Sequence, residues 1–239
     1  MRTPLASTEF TAYHASHWVV LGVAAVGAAG LVMLGRRADP GTAQRCARCL
    51  AALILLLNLG MELVVFQPAN PLHTLPLQLS DLAPYAGAYA LWSRRPWAYS
   101  LTYYWGITLS TQALFTPVLR GSDFPSVSFL AFFTIHVLVV WAAIYLTWGL
   151  RLRPDWPGYR FTVAVTVSWA AAMVAVNSLA GTNYGFLNAK PPTGSLLDLF
   201  GPWPEYLLPE AAAVLAGWAL MTVGWRRRAP HPPREVPSA

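Results

Sequence analysis

The chain has 239 residues, of which 56% are hydrophobic and only 11% charged, and its mean hydropathy is +0.44. A soluble domain is excluded by that balance, and the chain belongs in a bilayer. The net charge of +6 does not point to nucleic acid, because the basic residues fall in short blocks between apolar segments.

At about 20 residues per span, the first apolar segment runs from Trp18 to Leu34. No basic stretch or small-residue cleavage pattern marks it as a removable leader, so it is expected to stay as a helix. Arg36, Arg37, Arg45 and Arg48 follow, with Cys46 and Cys49 as a lone Cys-x-x-Cys in the same loop. A zinc site needs two further ligands, and none is evident. The second segment runs from Leu50 to Phe66, the third from Leu75 to Trp92 and the fourth from Trp97 to Thr116. The fifth runs from Val127 to Leu150, the sixth from Phe161 to Ala180 and the last from Tyr206 to Trp225. The expected fold is therefore an all-α, polytopic bundle of seven transmembrane helices over residues 1–228. A proline-rich, disordered cytoplasmic tail follows over residues 229–239.

Orientation follows from the arginines. Arg94 and Arg95 follow the third segment, Arg151, Arg153 and Arg160 the fifth, and Arg226, Arg227, Arg228 and Arg234 the last. Of the 16 basic residues only Arg2, Arg120 and Lys190 remain for the opposite face. The positive-inside rule then places the N-terminus outside and the C-terminus in the cytoplasm. Trp18, Trp97 and Trp225 lie near segment ends, as interfacial aromatics do. With Lys190 in a loop, no spanning lysine exists to form a retinal Schiff base.

The third segment carries Gln78, Ser80 and Asp81 between Pro76 and Pro84. Such groups are costly in hydrocarbon and mark an intramembrane site by default. Pro84 lacks the N–H that would bond the Ser80 carbonyl, which weakens a helix there. Gln78 and Asp81, three residues apart, share a face. Counted inward at ~1.5 Å per residue, Ser80 lies about 12 Å deep and His136 about 15 Å deep in the fifth segment. Glu62 and Asn58 fall in the outer half of the second, with Gln112 and Asn177 near the outer ends of the fourth and sixth. A long external loop, residues 181–204, is rich in glycine and proline and caps this side.

A serine hydroxyl needs a base to become a nucleophile, and His136 is the one histidine deep in a span. Asp81 or Glu62 would orient it, giving a Ser, His, acid arrangement. The alternatives are a serine bonded back to its own helix and a histidine used for packing or gating. His14, His17 and His73 share the outer side, and an interfacial role fits them better than a zinc site; no metal or cofactor is expected.

Several stretches carry a resemblance: Phe10-x-x-Tyr-His-x-Ser-His17, Leu75-Pro-Leu-Gln-Leu-Ser-Asp-Leu-Ala83, Gln112-Ala-Leu-Phe-Thr-Pro117, Phe132-Phe-x-x-His136, Asn177-x-x-x-Gly-x-Asn-Tyr184 and Leu197-x-x-x-Gly-Pro-Trp-Pro204. With these the chain resembles the YwaF-like family of bacterial multi-pass membrane proteins. Animal relatives of that family include a transmembrane phospholipid acyltransferase with a proposed catalytic cysteine. The third helix of the family usually reads Leu-His-Leu-Cys, so Gln78 stands here for the histidine and Ser80 for the cysteine. The fold is also similar to that of androgen-induced intramembrane lipid-ester hydrolases, which use a threonine and a histidine.

The resemblance implies a lipid acyltransferase or lipid-ester hydrolase in the bacterial inner membrane, with membrane lipids as partners. In that reading Ser80 attacks an acyl ester, His136 serves as general base and then acid, and Asp81 or Glu62 holds the imidazole. Gln78, Asn177 and Asn183 would donate to the oxyanion or head group, and Gln112, Tyr184 and His17 complete the expected substrate-binding set. A small-molecule or lipid transporter with a midplane site at a broken helix and a non-catalytic partner subunit are the competing classes.

Overall fold

In the computed structural model, residues 9–69, 71–119, 121–191 and 196–226 are described, and helices dominate them. The one β-bridge among these residues is isolated, between Glu9 and Ser122. The expected tail over 229–239 lies outside the described residues, as do Arg2, Arg120, Arg227, Arg228 and Arg234 of the orientation reading.

The first helix, α1, spans Ala15–Arg37, and α2 spans Pro40–Val65. α2 begins ten residues before its expected start because Asp39 caps it, accepting the Thr42 N–H at 3.0 Å, with Pro40 preset for the first turn. Arg45, Cys46, Arg48 and Cys49 consequently lie on a helix rather than in the expected loop, and both thiols are free. A four-residue turn, α3, covers Pro71–Thr74.

The third expected span starts late. α4 covers Leu79–Ser93, and the preceding residues 75–78 are non-helical. Pro76 cannot donate to a helix, and the Asp81 carboxylate accepts the Gln78 N–H at 2.9 Å. That is how an acid three residues into a helix closes its N-terminus. Instead of breaking at Ser80, the helix starts one residue before it and carries Pro84 inside.

The fourth expected span is α5, Pro96–Trp105, then a π-helical stretch, Gly106–Ser110, then α6, Thr111–Phe115. α7 spans Val127–Ile144 from a Ser126 cap and continues as a π-helical stretch over Tyr145–Gly149. α8 covers Trp156–Ala180, capped by Asp155 and closed by Gly181 at φ 67°. α9 covers Leu207–Arg226.

Among the described residues five helical stretches are long and apolar enough to cross a membrane: Ala15–Arg37, Pro40–Val64, Val127–Gly149, Trp156–Ala180 and Leu207–Trp225. The two remaining expected spans are the short α4 and the interrupted α5–α6 pair, and these carry much of the buried core. α4 packs on α2, α5 and α7, and Ala83, Ala90 and Leu91 are fully buried. Aromatic side chains fill the core with their polar tips paired. The Tyr145 hydroxyl donates to the Ala43 carbonyl at 2.8 Å, and Tyr104 pairs with Thr222 at 2.7 Å. Trp105 reaches Thr166 on α8, and Trp225, expected as an interfacial anchor, donates to the Tyr103 hydroxyl at 3.0 Å.

Candidate functional site

A cavity of about 530 Å³ opens between α2, the α3–α4 junction and α7. Its polar lining comes from Asn58 and Glu62 of α2, His73 and Thr74 of α3, Gln78 and Asp81 at the start of α4, Thr134 and His136 of α7 and Tyr184 of the external loop. Five expected site residues, Glu62, Gln78, Asp81, His136 and Tyr184, therefore meet in one place, although they are far apart in the chain.

His136 is half-buried, and its Nδ1 contacts the Phe132 carbonyl at 2.6 Å. A carbonyl only accepts, so Nδ1 carries the proton and Nε2 holds a lone pair. Among the described residues Nε2 has no hydrogen-bond partner, and it is not sealed from the cavity. The expected orienting carboxylates do other work. Glu62 accepts from Asn58 Nδ2 at 2.7 Å and from the Tyr85 hydroxyl. Asp81 holds the start of α4. The main chain of its own helix orients the imidazole instead.

Ser80 is half-buried next to Asp81 but is not among the residues that line the cavity. The ~100° step between neighbouring helical residues separates them: the face that brings Asp81 to His136 turns Ser80 aside.

The loop after α8 is built by the residues expected to bind substrate. Asn177 is 2% exposed and makes four hydrogen bonds: Nδ2 to the Tyr184 carbonyl and Asn188 Oδ1, and Oδ1 from the Tyr184 N–H and Thr182 hydroxyl. That exhausts a carboxamide. Asn183 is likewise committed, to the Ala189 carbonyl and to the N–H groups of Asn188 and Ala189. Both asparagines shape the loop, and neither is among the residues lining the cavity.

The loop then locks onto α4. The Gly185 N–H donates to Gln78 Oε1 at 2.7 Å, which fixes that amide with its NH2 as the group still available to the cavity. Tyr184 reaches the carbonyls of Leu72 and Leu75 at 2.7 and 3.0 Å, and Trp169 Nε1 donates to the Leu77 carbonyl. Burial, and then the Asp81 carboxylate, raise the Tyr184 phenol above its ordinary pKa, so it stays a proton donor. The backbone around Pro76 is thereby satisfied by Tyr184 of the loop and Trp169 of α8.

Two expected residues lie elsewhere. His17 is fully buried at the start of α1, accepting the Tyr13 N–H at Nδ1 and donating from Nε2 to the Leu114 carbonyl at 2.7 Å. It ties α1 to α6. Gln112 is exposed and outside the cavity lining. The sequence reading missed Thr74 and Thr134 of the lining and Tyr85, the partner of Glu62; the place of Tyr85 four residues after Asp81, on the same face, is the signal that marks it. Among the described residues no group of three or more His, Cys, Asp or Glu is placed to hold a metal ion.

The chain matches the model of the TMEM164 family over residues 12–222 and belongs to that family. With its long apolar helices, this makes it an integral membrane protein. No curated protein and no solved structure matches it.

Proposed function

We propose that this TMEM164-family chain is an intramembrane lipid-ester hydrolase or acyltransferase that works in the α2–α4–α7 cavity. The observation that carries the reading is the His136 imidazole. Its Nδ1–H is held by the Phe132 carbonyl, and its Nε2 lone pair is left to a cavity walled by carboxylates and an amide. A positioned, neutral imidazole of this kind is a general base.

In the reaction, Nε2 takes the proton of a hydroxyl, whose oxygen attacks the acyl carbonyl. The tetrahedral oxyanion accepts hydrogen bonds from the Gln78 NH2. Its collapse breaks the ester C–O bond, and the departing alkoxide takes the proton back from Nε2. The attacking hydroxyl is either the acceptor itself, water or a lipid alcohol, or Ser80. In the second case an acyl-serine forms and a second round of the same proton transfers resolves it. The position of Ser80 outside the cavity lining favours direct attack. The YwaF-like resemblance, seven spans with the N-terminus outside, and a bacterial inner membrane form the finer part of this proposal. They admit the lipid sideways from the outer leaflet.

Turnover of a panel of lipid esters by the purified protein, with Ser80→Ala and His136→Ala beside it, tests the reading. Loss in His136→Ala alone indicates direct attack. Loss in both, with a serine-directed probe labelling only the parent, indicates an acyl-enzyme. No turnover of any ester by a folded parent sinks the enzyme reading and leaves lipid or small-molecule binding and transport, which an amphiphile-sized cavity not lined by Ser80 also serves.

A further inference from the structure

A second, apolar groove of about 380 Å³ lies between α1 and α7, and the residues lining it are almost all hydrocarbon or aromatic. Its hydroxyls are few: Ser16, already bonded to the Asp123 carboxylate at 2.9 Å, and Thr134. Thr134 and Leu130 also line the polar cavity. They are one helical turn apart on α7 and exposed, so they form a shared lip between the two openings. A flexible chain can cross this lip without leaving protein contact.

Trp141 lines the other end of the groove. Trp141 lies against Gly27, where an added Cβ would come within 2.0 Å of the ring, and its Nε1 donates to the Ala24 carbonyl at 2.8 Å. The indole is pinned across the notch that the glycine leaves. From Phe129 to Trp141 the groove runs about 18 Å along α7, close to the ~15 Å that half a bilayer's ~30 Å hydrocarbon core spans.

We propose that the α1–α7 groove holds the hydrocarbon chain of a lipid whose polar end occupies the α2–α4–α7 cavity, with Trp141 as the floor that limits chain length. The proposal deepens the reading of that cavity and rests on it for the position of the polar end alone. The continuity at Leu130 and Thr134 selects an amphiphile as occupant: one cavity offers hydrogen bonds, and its neighbour, past the shared Thr134, is almost entirely apolar.

The test uses the full chain in detergent micelles doped with phosphatidylcholine that carries a photoactivatable diazirine at the end of one acyl chain. Adducts mapped by peptide mass spectrometry are expected to concentrate on residues 19–23 and 137–141. Val23 is 53% exposed, so Val23→Trp fills the groove without entering the core. It is expected to lower those adducts roughly tenfold, since each methylene displaced from apolar contact weakens binding severalfold. Adducts on the exposed, distant Leu179 and Leu220 should not change. Trp141→Ala should shift labelling toward longer-chain probes. Equal labelling at Leu179 and Leu220, or groove labelling unchanged in Val23→Trp, overturns the proposal. Ester turnover is scored separately: groove labelling without turnover removes the enzymatic reading alone, and turnover without groove labelling removes the chain site alone.

Discussion

His136 is oriented by Phe132, one turn earlier on the same helix, whose carbonyl its Nδ1 meets at 2.6 Å. The ring therefore needs no carboxylate to hold its tautomer, and replacing it should affect chemistry more than folding. His136→Gln is expected to lower ester turnover by about 10²- to 10⁴-fold, the usual worth of a general base. The thermal midpoint in detergent should stay within the scatter of lipid-facing substitutions. A large drop in that midpoint would assign His136 to packing.

Glu62 joins Asn58 to Tyr85 and so links α2 to α4 beside the cavity. Tyr85→Phe and Glu62→Gln, measured singly and together by denaturant unfolding in micelles, should be non-additive by about 0.5–3 kcal/mol. Additive effects would show that the contact does not couple the two helices.

Asn177 makes the buried joint of the external loop. Asn177→Ala leaves the Tyr184 N–H and carbonyl without their partner, which costs about 1–3 kcal/mol. The loop should become cleavable by added protease near residues 184–189 while the bundle survives. Asn177→Asp should be no better, because a carboxylate cannot donate to the Tyr184 carbonyl and Asn188 Oδ1.

Gly185 has φ 68°, and an added Cβ would stand 2.4 Å from the Trp169 ring. Gly185→Ala is expected to cost at least roughly 1–2 kcal/mol from backbone conformation alone, and to loosen the bond to Gln78. Gly22 is the contrast, with nothing within 4 Å of its added Cβ and a helical backbone. Gly22→Ala should stabilise by about 0.5–1 kcal/mol. Equal responses at both sites would contradict the packing of Trp169 against the loop.

The membrane character of this protein, its helical class and the approximate place of every long helix could be read from the sequence alone, because bilayer thickness and hydropathy act on local composition. The polar residues of the third segment, with Glu62 and His136, were likewise visible as a constellation, since each is expensive in hydrocarbon wherever its helix lies. Their partners were not. Whether Asp81 caps its own helix depends on where α4 begins, and α4 begins at Leu79, where Trp169 of α8 and Tyr184 of the following loop satisfy the backbone around Pro76. Asn177 and Asn183, expected to bind substrate, make the joints of the loop, and His17 is a buried link to α6. A side chain's hydrogen bonds belong to whatever the fold places beside it. Composition therefore decided which residues had to find partners, and only the packing of α2, α4, α7 and the loop decided which partners they found and left His136 Nε2 without one among the described residues.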